Sequence, residues 1–81
     1  MKLVRSIRFE RSYAKAPQRV QRAFDKQSLL LVENLSHPSL HAKKYDEAND
    51  LWQARVNKDW RFYFRIVDSV YYIVDIIRHP K

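Results

Sequence analysis

"LWQARVNKDWRFYFR", residues 51–65, decides how the rest of the chain is read. Arginine stands at positions 55, 61 and 65, and aromatics at 52, 60, 62, 63 and 64. A strand alternates its side chains between two faces, so spacing sorts them. In residues 51–57, Trp52, Ala54 and Val56 share one face, while Leu51, Gln53 and Arg55 share the other. In residues 60–67, Trp60, Phe62, Phe64 and Ile66 oppose Arg61, Tyr63 and Arg65. Between them Asn57-Lys58-Asp59 is a turn signal without glycine, and so short a loop joins antiparallel strands. Pairing Val56 with Trp60 sets Ala54 opposite Phe62, Trp52 opposite Phe64, Gln53 opposite Tyr63 and Arg55 opposite Arg61. Slipping this register by one residue would bury the arginines.

The pattern extends both ways from this hairpin. After the turn Val67-Asp68-Ser69, residues 70–78 form a third strand of a meander. Strict alternation groups Val70, Tyr72, Val74 and Ile76 against Tyr71, Ile73, Asp75 and Ile77, with Asp75 beside Arg61. Residues 37–50 read as a polar loop. Upstream, Val20, Ala23, Phe24, Leu31 and Leu35 recur at helical spacing, with Leu30 flanking. Pro17 suits the first turn of that helix, and Pro38 ends it near residues 34–36. Residues 3–9, "LVRSIRF", read as a strand of imperfect alternation, and residues 10–15 as a short helical turn.

The chain has 81 residues, which suits one domain spanning 1–81. A domain this small supports only a thin core. The apolar sheet face must therefore be covered by the helix, the other large apolar element. It has no cysteine, so neither a disulfide nor a thiolate metal site enters the reading. No stretch matches a signal peptide or a membrane span, and a cytoplasmic setting is expected. Sixteen Lys and Arg against nine Asp and Glu give a net charge of +7, which points to a polyanionic partner.

Four groups of residues carry chemistry. The first is the polar sheet face, where like charges directly opposite are destabilising. Arg55 across from Arg61 is either offset by Asp75 or built for an anion such as phosphate, whose geometry matches the guanidinium fork. The second is "HPSLHAKKY", with His37, His41, Lys43 and Lys44. Its two histidines flank Pro38 without an evident third ligand, so no metal is expected. The third is the tail "IIRHPK", where alternation from Asp75 and Ile77 carries His79 to the arginine face. Its side chain suits proton transfer near neutrality. The fourth is the basic stripe Lys15, Arg19, Arg22 and Lys26, read as a solvated helix face.

In this order, the strand, helices, loop and meander resemble the RelE/ParE superfamily of toxins from bacterial toxin–antitoxin systems. The resemblance covers nearly the whole chain and rests on "RSYAKAPQRVQRA", "HPSLHAKK", "LWQARV" and "DWRFYFRI". It implies an α+β fold: a small, mostly antiparallel four-stranded sheet with two N-terminal-half helices on one face, in the order β-α-α-β-β-β. It also implies a RelE/YoeB-like mRNA interferase, in which the 2′-hydroxyl of the substrate attacks the adjacent phosphate without metal or other cofactor. The implied partners are a cognate antitoxin, messenger RNA and the ribosome, with no membrane involved.

Carried over residue by residue, the resemblance gives Arg61 the scissile phosphate and Arg55 a supporting phosphate contact. His79 becomes the general acid to the leaving 5′-oxygen. Lys43 and Lys44 track RNA, with Tyr63 and Arg78 also at the RNA. His41 is the positional candidate for the base, a role that stays open. Gln53 stands where the RelE type carries a lysine, and the tyrosine that type has beyond the last strand has no counterpart before Lys81. Two rivals keep the fold: a ParE-like inhibitor of DNA gyrase, and a catalytically inactive RNA- or protein-binding module.

Overall fold

The computed structural model describes residues 1–80. Strand β1 (Lys2–Arg5) leads into helices α1 (Ile7–Lys15) and α2 (Gln18–Glu33). A single 3-10 turn, Pro38–Leu40, precedes β2 (Lys43–Asp46), β3 (Leu51–Arg55), β4 (Trp60–Val67) and β5 (Val70–Arg78). The five strands form one sheet in the order β1-β5-β4-β3-β2, parallel only between β1 and β5. Among the described residues, no helix is long and apolar enough to cross a membrane.

The hairpin has the register derived from alternation: Trp52 pairs with Phe64, Gln53 with Tyr63, Ala54 with Phe62 and Arg55 with Arg61. Its turn is closed by Asn57, whose Oδ1 accepts from the backbone N–H of Asp59 (2.8 Å) and Trp60 (2.9 Å). The apolar face meets both helices. Phe9 of α1 and Val20, Phe24 and Leu31 of α2 are buried against Ala54, Phe62, Phe64, Ile73 and Ile76. The Phe24 and Phe62 rings meet edge to face at 5.1 Å. Each such side chain removed from water contributes about 1.5–3 kcal/mol.

Three expectations are corrected. The sheet has five strands rather than four, because Lys43–Asp46 pairs with β3 inside the stretch read as loop. A four-residue strand with charged ends has no apolar period to announce it, and such strands suit sheet edges. The first strand stops at Arg5 instead of running to Phe9. Ser6 caps α1, accepting from the Phe9 N–H at 3.0 Å and donating to the Val74 carbonyl at 2.8 Å. Ile7 consequently lies 74% exposed, whereas Phe9 enters the core.

The third correction concerns β5. Tyr63 pairs with Asp75, but Phe64 pairs with Ile73, so Val74 is an extra residue. A bulge of this kind exchanges the faces of everything beyond it. Asp75 and Ile77 share the arginine face as expected, and Ile76 faces the helices. Tyr71 and Ile73, expected on the arginine face, are buried in the core instead, while Tyr72 is exposed. The β4–β5 turn places both Asp68 (φ 48°) and Ser69 (φ 65°) in the left-handed region. That is the geometry a two-residue hairpin turn favours, made here without glycine.

Candidate functional site

The face of the sheet away from the helices carries a cavity of about 370 Å³ over the C-terminal end of β3. His41, Ala42, Lys43, Gln53, Arg55, Arg61 and His79 line it, and among the described residues no carboxylate does. Each is delivered by a local device. The Asn57 turn fixes Arg55 and Arg61 as a directly opposed pair. Arg61 Nη1 then donates to the backbone carbonyls of Asn57 (2.7 Å) and Trp60 (3.0 Å), which restrains the guanidinium. His41 adopts a left-handed conformation (φ 47°) after the 3-10 turn, so the chain turns directly into Lys43 on β2. His79 lies one residue past β5, where its N–H donates to the Asp59 carbonyl at 2.6 Å. That bond carries the alternation of β5 one residue further and holds the tail against the turn.

Positive charge is concentrated at this cavity. Burial lowers the pKa of Arg61 from its ordinary value, and the neighbouring Arg55 charge lowers it further. Arg55 Nε is buried without a hydrogen-bond partner among the described residues. A buried donor without an acceptor costs about 1–3 kcal/mol, and more when charged. Asp75 does not relieve the pair. It lies opposite Tyr63, is 6% exposed, and accepts from Arg8 Nε at 2.9 Å and from the Ile76 N–H at 2.8 Å. The expected Asp75–Arg61 neighbour relation is thus replaced by an Asp75–Arg8 ion pair, because α1 begins earlier than its sequence suggested.

Among the eight residues picked out from sequence, Arg55, Arg61, His79, Lys43 and His41 meet at this cavity. Lys44 does not. It pairs with Trp52 on the opposite side of the sheet, lies 5.3 Å from that indole and is salt-bridged to Asp50. Arg78 is opposite Trp60, away from the arginine pair. Tyr63 stands beside the cavity and accepts a hydrogen bond from Gln53 Nε2 at 3.1 Å. Arg65 has a structural partner: its Nε donates to the Asn49 carbonyl at 3.2 Å, bracing the β2–β3 turn. His37 caps the 3-10 turn through Nδ1, which accepts from the Ser39 N–H at 3.2 Å.

One supporting residue escaped the sequence reading. Gln27, buried on α2, donates from Nε2 to both the Ser39 carbonyl (3.1 Å) and the Arg55 carbonyl (2.9 Å). It ties the two walls of the cavity to the helix. The signal was present: Val20, Phe24, Gln27 and Leu31 follow one helical stripe, and a glutamine in that phase needs polar partners inside.

No family model matches the sequence, and the comparison with curated proteins gives no match either. Solved structures do match in shape. The YoeB/ParE toxin from Agrobacterium tumefaciens superposes with a TM-score of 0.79 at 15% identity, covering 99% of this chain and 100% of that one. A chain of the archaeal RelE–RelB complex from Pyrococcus horikoshii OT3 gives 0.80 at 18% identity, covering 99% and 96%. The toxin–antitoxin complex RelBE2 from Mycobacterium tuberculosis gives 0.79 at 18%, covering 96% of each chain. Likeness at this level of identity is likeness of architecture, and over nearly the full length the chain has the fold of the RelE/ParE toxins.

Proposed function

We propose that this protein is the toxin of a toxin–antitoxin pair and acts in the cytoplasm as a metal-independent endoribonuclease on messenger RNA at the ribosome. The observation that carries the reading is the opposed Arg55–Arg61 pair in a cavity that no carboxylate of the described residues lines. A phosphodiester supplies the missing negative charge. In the reaction a base removes the 2′-hydroxyl proton as the O2′–P bond forms. Arg55 and Arg61 neutralise the charge growing on the pentacoordinate phosphate. The P–O5′ bond then breaks, and His79 donates the proton that the leaving oxygen needs. The products are a 2′,3′-cyclic phosphate and a 5′-hydroxyl.

His41 and His79 both line the cavity, which makes His41 the candidate base. Lys43 adds a further cation along the RNA path. The antitoxin partner is supported by the matching toxin–antitoxin complexes from M. tuberculosis and Staphylococcus aureus.

The test is induced expression of the wild type and of Arg61→Ala. Wild type arrests growth by blocking translation, and Arg61→Ala, still folded, does not. An Arg61→Ala protein of full toxicity would overturn the site. Arrest accompanied by a DNA-damage response, with translation intact, would instead support gyrase inhibition.

A further inference from the structure

A second cavity of about 220 Å³ opens on the same sheet face, next to the phosphate site and toward the middle of the sheet. Tyr45, Leu51, Tyr63, Asp75 and Ile77 are among its lining residues. The two cavities are joined by one rung of the sheet: Gln53 lines the first, Tyr63 lines the second, and Gln53 Nε2 donates to the Tyr63 hydroxyl. Tyr63 follows Arg61 on its strand by two residues, a rise of about 7 Å. A ribose bridges that kind of gap between its phosphate and its base.

The lining has the two parts that recognise a base. Tyr45 meets Tyr63 edge to face at 5.2 Å and is 58% exposed, leaving an aromatic platform open. Bases taken out of a helix stack on such platforms. Leu51 and Ile77 supply apolar walls. At the inner end lies Asp75, held by Arg8 and by the Ile76 N–H. Each carboxylate oxygen has one internal donor and retains a second lone pair. A fixed carboxylate of this kind accepts from a base edge that offers donors.

We propose that this cavity is a nucleobase subsite of the RNA-binding face, with Tyr45 and Tyr63 stacking the base and Asp75 reading its edge. Guanine fits best, because its N1–H and N2–H groups meet a carboxylate bidentately. Uracil fits worst, since acceptors flank its one edge donor. The inference rests on the reading of this face as an RNA site.

The test is fluorescence anisotropy with short labelled oligoribonucleotides that differ in one base beside a single 2′-deoxy position, which blocks the 2′ attack. The wild type should bind the guanine oligomer about tenfold or more tightly than the uracil one. Tyr45→Ala should weaken every oligomer. Asp75→Asn replaces an acceptor by a donor and should reduce or reverse the preference for guanine, while its melting temperature reports that the fold is kept. Binding that depends on Arg61 but ignores base identity, Tyr45 and Asp75 would overturn the subsite and leave the RNA reading in place. Absence of any Arg61-dependent binding would overturn both. Loss of antitoxin affinity alone in Tyr45→Ala, with RNA binding unchanged, would assign the cavity to the protein partner and overturn the subsite.

Discussion

At position 27 an amide occupies a place in a helical stripe otherwise filled by Val20, Phe24 and Leu31. Its two donated bonds leave neither Ser39 nor Arg55 with an unmatched carbonyl. Gln27→Leu keeps the volume and removes both bonds, so urea unfolding should give a stability lower by about 2 kcal/mol. Growth arrest by this variant should weaken as well, because the bonds hold the cavity walls. Tyr71 argues at the same scale for pH. Burial raises its pKa above the ordinary 10.0. A raised value means that the stability is fully present below pH 10 and is lost as pH rises through the folded-state pKa. Tyr71→Phe should therefore flatten part of the fall in melting temperature above pH 10. An unchanged alkaline profile would remove Tyr71 from that account.

At the scale of elements, legibility followed how much of the signal is local. The β3–β4 hairpin was readable because a two-sided period, a short Asn57 turn and two faces of opposite polarity all fix the same register. The span of β5 was readable for the same reason, yet half its facing was not. The Val74 bulge depends on how β5 sits against β4, and nothing in "VYYIVDIIR" marks the extra residue. Strand β2 was missed because its strand character comes from its partner, and α1 was shortened because Ser6 read as a strand residue instead of a cap. In the site, Arg55 and Arg61 came directly from the hairpin register. His79 came from extending the alternation of β5. Lys44 was misplaced because the β2 ladder, which turns it toward Trp52, was not foreseen. The turn after β4 allows a separate check. Ser69 holds φ at 65°, where a side chain costs about 1 kcal/mol. Ser69→Gly should raise stability by roughly that amount, measured as a shift in the unfolding midpoint without a change in slope.

At the scale of the whole molecule, the sheet divides the labour. One face packs the helices through Phe9, Phe24, Phe62 and Phe64, and the other presents the cavities to solvent. The net charge of +7 draws a polyanion to the molecule from a distance. On the proposed reading, the cavity cations then hold it. Three of them, Lys43, Arg55 and Arg61, should give single-stranded RNA binding a log–log salt slope of about −2, at about −0.7 per phosphate. Arg61→Ala should make that slope shallower by one such step. The central claim is that Arg61 and its partners cut RNA by internal attack of the 2′-hydroxyl. It is tested most directly by incubating purified protein with messenger RNA on programmed ribosomes and identifying the new ends. Wild type should leave a 2′,3′-cyclic phosphate and a 5′-hydroxyl, with Arg61→Ala slower by about 100-fold or more. Intact message, 5′-phosphate ends, or equal cutting by Arg61→Ala would contradict it.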